Sequence, residues 1–121
     1  MKRIVIDLDN TLCRAQDGDY ANAEPITPVI DTLRQYHNAG FEITVHTARN
    51  MRSFDGDLAR ITAHTLPLII DWLARHNVPY DHVVVGKPWC GDDGFYVDDR
   101  AIRPSEFVNL TYAHIAAAIA G

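Results

Sequence analysis

The feature that most constrains the fold is a set of short apolar runs that are continuous rather than alternating. Residues 4–6 and 83–85 are apolar at every position, and residues 41–46 are rich in β-branched and aromatic side chains. Strands of a parallel sheet that helices cover on both faces require such continuous apolarity. Residues 94–97 form a fourth run of strand length. The sequence therefore predicts four strands of a mainly parallel sheet.

Helical segments separate these runs. Their ends are marked by Thr27–Pro28 and Gly40, by Pro67 and Asn77, by Pro104, and by Thr111 before an alanine-rich tail at 112–120. In the second segment the expected buried stripe is Leu68, Ile69, Trp72 and Leu73. Alternation of strands and helices predicts an α/β fold, a three-layer α/β/α sandwich with a Rossmann-like sheet. We expect one domain over residues 1–121.

Composition excludes several classes of protein. The chain has 121 residues, of which 47% are hydrophobic and 22% charged, values typical of a globular domain. The net charge of −5 disfavours a nucleic-acid partner. No apolar run approaches the roughly 20 residues that span a membrane, and two cysteines, Cys13 and Cys90, suggest no disulfide framework. We expect a cytoplasmic protein with no nucleic-acid or membrane partner.

Two long segments, 12–26 and 48–66, lack a clear period. Each begins directly after an expected strand end, where ligands of open α/β sheets bind. Long connections in compact domains are usually functional. We therefore interpret both as active-site cover.

Acidic residues stand in pairs at two expected strand ends. Asp7 and Asp9 follow the first run, and Asp98 and Asp99 follow the last. Parallel strands would bring both pairs to one edge of the sheet, where their charges repel unless a cation intervenes. Hard oxygen ligands without a His or Cys cluster favour Mg²⁺. Thr47 and Lys87, at the other two strand ends, add a hydroxyl and an ammonium suited to a phosphoryl group.

These positions resemble the haloacid dehalogenase superfamily of phosphohydrolases. Residues 7–12 are similar to its DxDx(T/V) signature, and Thr47, Lys87 and Asp98–Asp99 resemble its second, third and fourth motifs, in the family's order. The sequence of residues 47–51, 86–91 and 96–104 resembles that of a bacterial subgroup whose members are labelled capsular or polysaccharide biosynthesis phosphatases. The gaps between motifs leave no room for a cap domain.

The resemblance implies a role for each motif residue. Asp7 would attack phosphorus and form an aspartyl-phosphate, and Asp9 would act as general acid and then as general base. Thr47 would bind phosphoryl oxygens, and Lys87 would offset negative charge. Mg²⁺ would be held by Asp7, Asp9 through its carbonyl, and Asp98, with Asp99 in the outer shell.

Three further residues are candidates for substrate binding: Asn10, Ala48 and Arg49. Asn10 stands where many relatives carry Gly, and Asn tolerates left-handed backbone. Arg49 could clamp a second anionic group or be solvated. The expected substrate is a small phosphate ester such as a sugar phosphate, and the open site makes a homo-oligomer plausible.

Two alternatives stay open. The same enzyme could act on a phosphoprotein or a nucleic-acid end. A phosphoacceptor signalling domain resembling a response-regulator receiver also gathers carboxylates, a Thr and a Lys around Mg²⁺. It places its phosphoacceptor Asp mid-chain, before the Thr and Lys, whereas the order here is Asp7/Asp9, Thr47, Lys87, Asp98/Asp99. A phosphoenzyme stable for minutes would favour signalling, whereas rapid hydrolysis favours a phosphatase.

Overall fold

A computed structural model describes residues 2–121 of the chain. The elements in chain order are β1 (Arg3–Ile6), β2 (Cys13–Arg14), a 3-10 turn (Tyr20–Asn22), β3 (Glu24–Pro25), α1 (Thr27–Asn38), β4 (Glu42–Thr47), α2 (Leu58–His64), α3 (Leu66–Arg75), β5 (His82–Val85), α4 (Pro104–Asn109) and α5 (Tyr112–Ala120). The chain forms two compact units, the first ending at Trp89 and the second comprising Cys90–Gly121. The single domain predicted over residues 1–121 stays a prediction.

The first unit is built on a three-stranded parallel sheet in the order β1-β4-β5. Its central strand, β4, alternates between buried and half-buried residues, with Ile43, Val45 and Thr47 on the buried face. These three side chains are at most 1% exposed. The predicted α/β fold, with a mainly parallel sheet and flanking helices, is confirmed.

The helices begin and end close to where the sequence predicts them. In α1 the proline at the start and Gly40 just beyond the end match the prediction, and Gly40 adopts φ 99°. Thr27 is the first helical residue rather than the cap. α3 buries Ile69, Trp72 and Leu73, but Leu68 is 56% exposed, so its assignment to the buried stripe was wrong. α5 is capped by Thr111, whose hydroxyl accepts from the N–H of His114.

The two segments predicted as loops contain local structure. In 12–26, β2 and β3 pair as a small antiparallel hairpin around the 3-10 turn. Trp72 Nε1 donates to the Ala23 carbonyl at 2.9 Å, and Arg75 Nη2 donates to the Ala21 carbonyl at 2.7 Å. The segment is therefore anchored to α3. In 48–66, α2 occupies the second half and is capped by the Asp57 carboxylate.

In the second unit, the predicted strand at residues 94–97 is not formed. Those residues have no strand pairing in the described structure, and Phe95 and Val97 are 80% and 88% exposed. β-propensity and apolarity identify a segment that can pair, but they do not specify which strand it pairs with. Across residues 2–121, no helix is long and apolar enough to cross a bilayer.

Candidate active site

The site lies where the parallel strands of the first unit end. Asp7 follows β1, Thr47 is the last residue of β4, and Lys87 lies two residues after β5. Since the three strands run parallel, their carboxyl ends meet at one edge of the sheet. Lys87 N–H donates to the Thr47 carbonyl at 3.1 Å, which extends the pairing of β4 and β5 by one more bond. The backbone thus fixes Lys87 beside the end of β4.

The Asp7 carboxylate lies between a cation and a hydroxyl. Lys87 Nζ is 3.7 Å from Asp7 Oδ1, and Thr11 Oγ1 donates to Asp7 Oδ2 at 3.3 Å. Partial burial raises the pKa of Asp7 above its ordinary value, and the Lys87 charge opposes that increase. A carboxylate with limited solvation and a neighbouring ammonium is suited to attack an anionic phosphorus centre, because less hydration must be removed.

Asp9 forms a bidentate ion pair with Arg49. Arg49 Nη2 donates to Asp9 Oδ1 at 2.8 Å and Arg49 Nε donates to Asp9 Oδ2 at 3.1 Å. The Arg49 side chain is only 2% exposed, and its guanidinium lies 4.3 Å from the centre of the Tyr20 ring. The substrate contact predicted for Arg49 stays a prediction; the contact in the structure is with Asp9.

Cys13 completes the surroundings of this ion pair. Its thiol donates to Asp9 Oδ1 at 3.6 Å and lies 3.7 Å from Arg49 Nη2. Burial, followed by the Asp9 charge, raises the pKa of Cys13 to about 12. The thiol is therefore neutral near pH 7 and acts as a buried neighbour rather than as a nucleophile.

Thr47 is buried at the end of β4. Its hydroxyl accepts from the backbone N–H of Arg49 at 3.0 Å, and it keeps its own proton for donation. This bond fixes the backbone of the turn after β4, from which the Arg49 side chain reaches Asp9. The structure therefore gathers Asp7, Asp9, Thr47 and Lys87, the four predicted catalytic residues, in one unit.

Asn10 and Ala48 lie in the two turns that follow β1 and β4. Asn10 is exposed, adopts φ 63°, and donates its backbone N–H to the Cys13 carbonyl at 2.7 Å. The prediction that Asn supplies left-handed backbone here is confirmed. Ala48 is half-buried and its carbonyl accepts from Met51 N–H at 3.0 Å. Their roles toward a substrate remain predictions.

Asp98 and Asp99 belong to the second unit and are exposed. Asp98 Oδ1 accepts from the backbone N–H of Arg100 at 2.9 Å, a local turn contact. Among residues 2–121, no three His, Cys, Asp or Glu side chains form a group that could hold a metal ion. The first unit contributes hard oxygen donors of the kind Mg²⁺ prefers, the Asp7 carboxylate and the Asp9 carbonyl, but it lacks a further acidic ligand. The Mg²⁺ site stays a prediction.

Three contacts were not anticipated from the sequence. They are the Thr11 hydroxyl on Asp7, the Cys13 thiol on Asp9 and the Tyr20 ring on Arg49. Thr11 stands at the fifth position of the DxDx(T/V) signature, so its spacing from Asp7 was a usable signal. Nothing in the sequence marks Tyr20, because its contact depends on how the 12–26 segment folds back.

Comparison with known proteins supports the fold. No family model and no curated protein matches the chain. The crystal structure of a target protein from Vibrio cholerae matches with 52% identity and a TM-score of 0.96, covering 99% of this chain and 98% of that one.

Two more distant matches come from solved complexes. A chain of the Pnkp1/Rnl/Hen1 complex is 21% identical with a TM-score of 0.53, over 91% of this chain and 35% of the other. A chain of the Pnkp1/Rnl/Hen1 RNA repair complex is 19% identical with a TM-score of 0.49, over 90% and 32%. The first of these shows a shared fold and nothing further.

Proposed function

The chain belongs to the same protein family as the Vibrio cholerae protein, and from the chemistry of its site we propose that it is a phosphohydrolase of the haloacid dehalogenase type. The observation that carries the proposal is the placement of Lys87 Nζ 3.7 Å from Asp7 Oδ1 at the carboxyl end of β1. A nucleophilic carboxylate beside a fixed ammonium supports displacement at an anionic phosphate, whose own charge otherwise repels the attacking group.

The proposed reaction has two steps. An Asp7 oxygen forms a bond to phosphorus while the ester P–O bond breaks, and the leaving oxygen takes a proton from Asp9. Water then attacks the aspartyl-phosphate, Asp9 accepts its proton, and inorganic phosphate leaves with Asp7 restored. Both Asp9 oxygens are bonded to Arg49, so proton transfer by Asp9 requires one of those bonds to open.

The proposed cofactor is Mg²⁺, held by the Asp7 carboxylate, the Asp9 carbonyl and Asp98, with Asp99 supporting them. When bound, the ion would neutralise charge on the phosphoryl oxygens. Thr47 and Lys87 would bind those oxygens from the other strand ends. Thr11, by donating to one Asp7 oxygen, leaves the other to face Lys87 and the substrate.

Replacement of the nucleophile tests the proposal. Asp7→Asn keeps the shape of the side chain but removes the attacking oxyanion, so hydrolysis of p-nitrophenyl phosphate with Mg²⁺ should fall by about 10³-fold or more. Asp31→Asn, which alters an exposed aspartate on α1, is the matched control and should retain activity. Chelation should abolish turnover and added Mg²⁺ should restore it. Undiminished turnover in Asp7→Asn would contradict the assignment.

The proposed substrate is a small phosphate ester, such as a sugar phosphate. A second candidate is a phosphorylated nucleic-acid end, since the same site chemistry would act on its terminal phosphate. The net charge of −5 favours the small molecule, since an acidic surface repels a polyanion. A panel of phosphorylated sugars and a 3′-phosphorylated RNA oligonucleotide, compared by kcat/KM, separates the two.

A further inference from the structure

One face and one edge of the sheet are open in the described chain. The register aligns Val5 with Thr44 and His82, and His46 with Val84, so these side chains share the face opposite the buried one. Val5 is 66% exposed and Val84 is 44% exposed. β1 pairs only with β4, so its other edge pairs with no strand among residues 2–121. Exposed apolar edges of this kind promote pairing with another chain.

The second unit carries apolar surface that is equally exposed. Phe95 and Val97, in the segment predicted as a strand, are 80% and 88% exposed. The helix α5 consists almost wholly of alanine, isoleucine and aromatic residues, yet it has no buried residue. A helix that is apolar on all sides is ordinarily covered by other protein. The unit therefore offers a strand-forming segment and a helix, the two parts that an open sheet lacks.

From these observations we propose that two copies of the chain exchange their second units. Residues 95–97 of one copy pair in parallel with the open edge of β1 in the other, and the helices of the same unit cover the face that bears Val5 and Val84. Each copy carries one open sheet and one exposed second unit, so a two-fold arrangement satisfies both copies at once. This accounts for the division of the chain into two compact units at Trp89–Cys90.

The exchange also completes the active site, and this part rests on the proposed function. Asp98 directly follows residues 95–97, as Asp7 directly follows β1. Parallel pairing of the two segments brings both aspartates to the same edge of the sheet. The acidic ligand that the first unit lacks would then come from the second copy, and each site would contain residues of two chains.

Crosslinking tests the exchange independently of any activity. Val5→Cys and Tyr96→Cys, which the alignment of Asp98 with Asp7 places side by side on one sheet face, are made in separate chains with tags of different size. Each chain also carries Cys90→Ser, and the two are unfolded and refolded together. A short bismaleimide should give a product with one chain of each kind, and the uncrosslinked protein should have twice the 13.6 kDa mass of one chain.

The matched control is Val84→Cys, which lies on the same sheet face but on β5, two strands from β1 and about 10 Å away. It should not crosslink to Tyr96→Cys. A 13.6 kDa species, a crosslink confined to one chain in the double variant Val5→Cys/Tyr96→Cys, or preferential linkage to Val84→Cys would each overturn the proposal.

Complementation tests whether the site is shared. Asp7→Asn and Asp98→Asn should each be inactive alone, since each removes one residue from every site. After refolding as an equal mixture, about half of the dimers hold one chain of each kind, and one site in each of those is intact, so about a quarter of wild-type activity should return. If crosslinking confirms the exchange and no activity returns, Asp98 is not supplied in trans and the shared site is overturned. An inactive wild-type protein that still crosslinks between copies would refute the proposed function but not the exchange.

Discussion

The guanidinium of Arg49 is enclosed by a carboxylate, a thiol and a tyrosine ring. Lysine in its place would keep the positive charge but could not form the two parallel hydrogen bonds that the planar guanidinium makes with the two Asp9 oxygens. Because Asp9 is 28% exposed, water would replace part of the lost interaction, and we expect Arg49→Lys to lower the free energy of unfolding by about 1–3 kcal/mol. Urea unfolding at pH 7 measures this difference.

Arg3→Lys is the control for that substitution. Arg3 Nε lies 3.6 Å from Glu42 Oε1, but the Arg3 side chain is 66% exposed. Exposed pairs contribute less than about 1 kcal/mol, so the control should change stability little. Equal effects of the two substitutions would mean that burial of Arg49 does not strengthen its pair with Asp9.

The two cysteines should differ sharply in reactivity. A pKa of about 12 leaves the Cys13 thiol with about 10³-fold less thiolate at pH 8 than an ordinary thiol has. In the folded protein a maleimide or disulfide reagent should therefore label Cys90, which is partly exposed, and spare Cys13 until urea is added. Cys90→Ser should remove the fast reaction. Rapid labelling of both thiols in the folded state would contradict the described burial.

The same pKa gives a direction for stability at high pH. The folded state favours the neutral thiol, so its pKa lies above the ordinary value of 9.0. Cys13 thus contributes stability that is complete below about pH 9 and declines as the pH rises toward 12.

At the level of residues, the order of the motifs predicted those positions that follow directly from where the strands end. Asp7, Thr47 and Lys87 lie at or just beyond strand ends, and parallel pairing alone brings them together. The Arg49–Asp9 pair joins residues 40 positions apart through a side-chain rotamer, which no spacing rule specifies. The spacing of residues in the sequence therefore predicted which residues lie at the strand ends better than it predicted which side chains contact one another.

Among the elements, β5 is attached to the sheet by a side chain as well as by its backbone. Asp81, just before the strand, donates its N–H to the Ile43 carbonyl at 2.8 Å and accepts the Ile43 N–H on Oδ2 at 2.8 Å. The Ile43 N–H, aided by His37, lowers the pKa of Asp81 below its ordinary 3.8 although partial desolvation acts in the opposite direction.

Asp81→Ala should destabilise the protein at neutral pH because Ile43 N–H loses its acceptor. Since the folded pKa is lowered, the carboxylate contributes stability above about pH 3.8 that is lost as the pH falls through the folded pKa. The difference in urea midpoint between Asp81→Ala and wild type should therefore shrink below pH 3.8. A difference independent of pH would show that the charge is not what holds Ile43.

Elements with local signals were predicted well. Pro28, Pro67 and Pro104 open helices as expected, because proline fixes the first turn without needing a donor. The prediction was wrong for the strand at residues 94–97 and for the burial of Leu68. Apolarity indicates that a residue prefers burial, but it does not indicate which surface buries it. The sequence alone does not show which surfaces of the fold are available to cover such residues.

For the whole molecule, the sequence predicted the α/β class but not the division into two compact units. No linker composition marks the boundary at Trp89–Cys90, where glycine and proline stand close to the third motif. The alternation of strand and helix segments indicates which segments can pair. It does not indicate whether they pair within one chain or between two chains. Exchange between copies would make the concentration of protein a determinant of activity.

The anchoring of residues 12–26 has a consequence for how a substrate enters. Trp72 and Arg75 tie this segment to α3 through the carbonyls of Ala23 and Ala21, and its Tyr20 ring rests on the guanidinium that holds Asp9. Displacing this segment would break both hydrogen bonds and lift the Tyr20 ring from Arg49. Any opening of the segment to admit a ligand would therefore also disturb the residue that holds Asp9.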